Sequence, residues 1–118
     1  MVIDIPSTFR SAEPRADITG PDRELLRSLA GRLAELSALP VQEERADLWR
    51  RINRLERVRP PIVFHPWETI WNEILPEGSI VTSSPEGQYY ETVLRRRLWI
   101  AEHLDDDTVV APFVEYPM

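Results

Sequence analysis

Cysteine is absent from this 118-residue chain, and so is lysine; histidine occurs twice and glycine four times. Without cysteine there is no disulfide, no thiolate metal site and no thiol nucleophile. All 14 basic residues are Arg, which removes Schiff-base chemistry and the phosphate-loop lysine. Codon bias in a GC-rich genome is the plainest cause of the missing lysine. So few glycines leave little room for a backbone cradle. No phosphate loop, dinucleotide fingerprint or Gly-x-Ser-x-Gly elbow is present. No apolar run nears the ~18 residues of a membrane span. Met1–Pro6, with its early Asp4, does not read as a secretory leader. The lack of staples in a small domain favours a cytoplasmic location.

What remains is enough for a core. The length suits one domain, able to bury roughly two thirds of its unfolded surface. Hydrophobic residues make up 42%, within the globular range. Four Trp, each able to bury ~150–250 Å², predict an aromatic-anchored interior. Charge is uneven. Residues 1–59 hold 11 Arg against 10 acids, a net of +1, and residues 60–118 hold 3 Arg against 10 acids, a net of −7. An acidic second half argues against nucleic acid as a partner.

Residues 1–20 read as an irregular arm, with a brief strand possible at Val2–Ile5, and 21–118 as a single domain. The first helix is predicted from about Pro21, its stripe made by Leu25, Leu26, Leu29, Leu33 and Leu36 at helical spacing. Pro40 stops it. The second covers roughly 41–57, with Val41, Leu48, Ile52 and Leu55 on one face, acids early and arginines late, as the helix dipole prefers. The short Leu39-Pro40 link predicts that the two pack as a helical hairpin. Arg59-Pro60-Pro61 then forces extended backbone, and Ile62-Val63-Phe64 reads as a strand. Trp67, Ile70, Trp71 and Ile74 predict a one-sided helical turn ended by Pro76. Ile80–Thr82 reads as another brief strand. Ser83 with Glu86, or Ser84 with Pro85, starts a third long helix reaching about Leu104. Val109-Val110 and Phe113-Val114 read as strand material. The predicted fold class is therefore α+β, mostly α-helical, with short β-strands and no complete barrel.

The sharpest polar-aromatic cluster is His65, Trp67 and Glu68, with Trp71 one turn on. An imidazole and a carboxylate there could meet a small ligand; the plainer reading is a strand end with Trp67 in the core. A zinc site needs three or four ligands, and the second imidazole, His103, is far along the chain, so no metal site and no catalytic residue is predicted. Arg95-Arg96-Arg97 suggests anion binding, but helix geometry spreads them ~100° apart, so solvated faces and ion pairs such as Glu91 with Arg95 are favoured. Asp105-Asp106-Asp107 lacks calcium-loop spacing and reads as a solvated helix end.

The order of several segments carries a resemblance. These are Leu39-Pro40-Val41-Gln42-Glu43-Glu44-Arg45, Leu48-Trp49-Arg50, Arg59–Phe64, Glu73-Ile74-Leu75-Pro76, Leu94–Arg97 and Glu102–Val110. In that order the chain resembles, over about residues 22–117, the N-terminal region of uroporphyrinogen-decarboxylase-like proteins, relatives of corrinoid-dependent methyltransferases. His65-Pro66-Trp67 stands where the family has an acidic, glycine-containing turn. Such proteins continue into a (β/α)8 barrel of about 250 residues, too long for 118 residues to close. By the resemblance, zinc ligands and the corrinoid-facing surface belong to that barrel, so no cofactor is expected in this chain. The expected function is a non-catalytic N-terminal module of a methyltransferase-type enzyme that serves dimerisation or covers the barrel. Its partners would be the barrel or a second copy, with a corrinoid protein as a further candidate. The alternative is a stand-alone small-ligand-binding or protein-interaction module using His65, Trp67 and Trp71.

Overall fold

The computed structural model describes Ile18 and residues 20–115, and within them the chain forms four helices and no strand. These are α1 (Gly20–Ser37), α2 (Pro40–Asn53), α3 (Glu68–Ile74) and α4 (Pro85–His103). The brief strand expected at Val2–Ile5, and most of the expected irregular arm, lie outside the described residues.

The helices follow their local chemistry. Pro40 and Pro85 stand at the first turns of α2 and α4, where a missing N–H costs nothing. Of the two expected starts for α4, Ser84 is the cap: its hydroxyl accepts from the Gly87 N–H at 3.0 Å. A larger residue at Gly87 would displace this cap, since a Cβ would lie 2.9 Å from the Ser84 Oγ and 3.2 Å from the Thr82 Cβ. Ser83 is taken elsewhere, its N–H and hydroxyl both donating to the Asp22 carboxylate at 2.9 and 3.0 Å. That joins the start of α1 to the start of α4.

The core lies between α1 and α4. Leu29 and Leu33 pack with Leu94, Leu98 and Val110, and Leu25, Leu26 and Leu36 flank them. The leucine stripe read from the sequence is this contact. Arg32 of α1 also pairs with Glu102 of α4. The expected α1–α2 hairpin packing is not the organising contact, because α1 runs along α4. α2 instead addresses the acidic turn after α4 with polar side chains. Gln42 accepts from the Val110 N–H at 2.8 Å, Arg45 donates to the Thr108 carbonyl at 3.2 Å, and the Trp49 indole donates to the Asp107 carbonyl at 2.8 Å. α2 ends at Asn53, short of the expected 57, and Leu55 follows with φ of 61° and its side chain 92% exposed. It therefore lies off the apolar face to which the helical period assigned it.

The α+β class is corrected to all-helical among the described residues, and the reason is specific. The segments read as strands find side chains where a ladder would need a second backbone. Ile62 N–H donates to the Asp107 carboxylate at 2.8 Å and Phe64 N–H to that of Asp106 at 2.9 Å. One backbone bond, Asp107 N–H to the Ile62 carbonyl at 2.9 Å, is all that runs between the two chain segments. Val81 and Thr82 N–H donate to the Glu91 carboxylate at 2.9 and 2.8 Å. Arg97 donates to the carbonyls of Ala111 and Phe113. The Ile62, Phe64, Val81 and Thr82 amides are satisfied in this way, and no two extended segments pair along their length among the described residues.

Two corrections concern charge. Glu91, expected on a solvated face with Arg95, has no solvent exposure; Arg95 Nε donates to it at 2.6 Å. Burial opposes its ionisation, but the Thr82 and Val81 amides and Arg95 more than offset this and hold its pKa below the usual value. The Asp105–Asp107 run is likewise more than a solvated end. Arg59 grips Asp107 through two bonds of 2.8 and 2.7 Å and, with the Ile62 amide, lowers its pKa well below the usual carboxylate range. Asp106 is lowered too, its desolvation offset by the Phe64 and Thr108 amides.

Removing Glu91 strands the buried Thr82 amide and frees Arg95 from its partner. Glu91→Ala should therefore cost about 2–4 kcal/mol, read from the urea midpoint, with Glu91→Gln milder. Because Glu91, Asp106 and Asp107 all have lowered folded pKa values, their stabilisation is complete above the unfolded values of ~3.9–4.3. It is lost as pH falls through the lower folded values. Thermal melts between pH 2 and 7 should show a plateau above about pH 5 and a steep acid limb, and Arg59→Ala should make that limb shallower.

Candidate functional site

The four residues singled out from the sequence divide into two environments. Trp71 is 3% exposed and sits in the interior. Its ring meets Trp99 edge-on, with centroids 5.9 Å apart and planes at 80°. The Arg96 guanidinium lies 5.2 Å from the Trp71 ring centroid, within cation–π range. Glu68, at the start of α3, accepts from the two terminal Arg96 nitrogens at 2.9 Å, and this fork lowers its pKa despite partial desolvation. Trp99 stacks in turn on His103, with centroids 4.9 Å apart and planes at 14°. The His103 Nδ1 lies 2.9 Å from the Trp99 carbonyl. Glu68, Arg96, Trp71, Trp99 and His103 thus form one column that fastens α3 to α4.

His65 and Trp67 stand outside it. His65 is exposed, and Trp67, 78% exposed, is the residue before α3, extended at φ −69° and ψ 162°. The expected one-sided set assumed helix from Trp67 onward. Because α3 begins one residue later, Trp67 leaves the face that Trp71 buries. Trp67 meets Trp71 through the backbone, the Trp71 N–H donating to the Trp67 carbonyl at 3.0 Å, but the Trp67 indole stays outside while that of Trp71 is buried. Among the described residues no group of three or more His, Cys, Asp or Glu is placed to hold a metal ion, and no helix is long and apolar enough to cross a membrane.

Trp67 belongs to a different surface. Ile62 is 70% and Phe64 43% exposed on the segment just before it. The Ile62 and Phe64 amides both face the acidic turn, as alternate amides do in extended chain, so their side chains share one face. Arg59, Asp106 and Asp107 pin this segment, and α3 pins its end through Glu68. Three large apolar side chains are therefore held outward within six residues on a fixed backbone, where single exposed apolar residues are the norm. Arg95, Arg96 and Arg97 diverge as helix geometry requires, to Glu91, Glu68 and the Ala111 and Phe113 carbonyls, so they form no anion patch.

The sequence reasoning missed Arg96 and Trp99 as partners of this cluster. Their signal was available: both lie within the third long helix, three residues apart, and so on neighbouring positions of one side. No family model, curated protein or solved structure matches the chain.

The two tryptophans separate interior from surface. Trp71→Ala should cost about 3–5 kcal/mol in urea unfolding, and Trp67→Ala should stay within about 0.5 kcal/mol of the parent.

Proposed function

We propose that this chain is a non-catalytic docking module, the N-terminal part of a uroporphyrinogen-decarboxylase-like, corrinoid-dependent methyltransferase-type enzyme. It holds two copies together or covers the barrel. The exposed strip Ile62, Phe64 and Trp67 carries the reading. Large aromatic and aliphatic side chains on a preordered backbone are what an interface core needs, because little conformational freedom remains to be lost on binding. The ordered series of motifs from Leu39 to Val110 supplies the family part of the proposal. Any corrinoid or zinc chemistry would belong to the barrel.

A second copy is the partner that can be tested with this chain alone. Sedimentation velocity should show a coefficient that rises with concentration into the high micromolar range, and Trp67→Asp should abolish the rise while leaving the circular dichroism unchanged. A chain that stays monomeric throughout removes the dimer reading. The family part predicts a barrel encoded in the same reading frame beyond Met118, and a stop codon there would remove it.

A further inference from the structure

A groove of about 370 Å³ opens between α1, the middle of α4 and the segment Pro112–Val114. Its walls are apolar, with Leu26 and Leu33 on α1, Leu94 on α4 and Phe113 across from them. Arg97 fixes the Phe113 side by donating to the carbonyls of Ala111 and Phe113. Along the α1 wall stand Arg23 and Arg27, one turn apart and so on one side of the helix. Both are exposed, and neither joins any of the ion pairs formed among the described residues.

We propose that this groove binds an amphiphilic carboxylate, with its hydrocarbon chain along Leu26, Leu33, Leu94 and Phe113 and its carboxylate against Arg23 and Arg27. The volume lies in the lower range of small-molecule sites, which are mostly apolar with a few orienting polar groups. Charge decides the class of ligand. The chain as a whole carries −6, so an anion is held where guanidiniums are not already engaged by a carboxylate, and Arg23 and Arg27, in no ion pair among the described residues, offer forked donors to a carboxylate. A neutral chain would fill the apolar walls equally well but gain nothing from the rim, and a cationic amphiphile would meet repulsion there. The site is separate from the Ile62–Trp67 strip and does not depend on it.

Calorimetric titration of the full chain with dodecanoate, kept below its critical micelle concentration, tests this against dodecanol and dodecyltrimethylammonium. Dodecanoate should bind one per chain and more tightly than dodecanol, with no saturable binding of the ammonium. The Arg23→Gln/Arg27→Gln variant should weaken dodecanoate about fivefold, in keeping with the modest worth of exposed ion pairs, and leave dodecanol unchanged. Ala30→Trp, at an exposed helical position on the groove, should fill the space and abolish binding while circular dichroism stays that of the parent. The proposal fails if dodecanoate does not bind, if all three amphiphiles bind alike, if the double variant binds dodecanoate normally, or if a folded Ala30→Trp chain still binds it.

Discussion

A carboxylate that accepts backbone amides recurs at each place where this fold could come apart. Glu91 holds the chain entering α4, Asp22 joins the starts of α1 and α4, and Asp106 and Asp107 hold the segment that follows α2. A helix bundle this small has few faces to bury, and long connecting segments leave many amides to satisfy. Charged acceptors do this more strongly than neutral ones. They also do it from within helices and turns, so no sheet is required. The apolar core between α1 and α4 supplies cohesion, while these polar staples determine where the connections lie.

That division of labour explains what could be read from the sequence. Helix positions were legible because period and punctuation act locally: the leucine stripe of α1, Pro40 and Pro85 at first turns and Ser84 as a cap need no knowledge of the rest. The extended character of Ile62–Phe64 was legible too, since the prolines before it restrict the backbone. Its partner was not, because β-branched and aromatic residues indicate a half-buried extended chain without saying whether a strand or a carboxylate meets its amides. Glu91 shows a signal that was present but outweighed. It falls on the spacing Gly87, Glu91, Leu94, Leu98, all buried, yet its Arg95 partner one turn on suggested a surface pair. Trp67 was misplaced by a single residue of helix onset, enough to turn a 3.6-residue period from core to solvent.

The column of Glu68, Arg96, Trp71, Trp99 and His103 and the strip of Ile62, Phe64 and Trp67 lie on either side of that helix onset, with opposite consequences. One uses aromatic surface for internal cohesion; the other leaves aromatic surface outward on a backbone already fixed. The proposed docking role draws on the second and owes its rigidity to the first, since α3 is short and would not hold its position without α4. His65, exposed between Phe64 and Trp67 in the chain, takes no part in the column.

The donors to these carboxylates are backbone amides, the Ser83 hydroxyl and guanidiniums, and lysine is absent altogether. Guanidiniums keep their proton at any pH a protein normally meets, so raising pH does not loosen the network. Burial, with a contribution from Glu115, raises the Tyr89 pKa, so the first alkaline penalty arises when unfolded tyrosine begins to ionise near pH ~10. The molecule is in this sense one-sided: proton gain by Glu91, Asp106 and Asp107 weakens it, whereas on the alkaline side the penalty waits for the Tyr89 phenol.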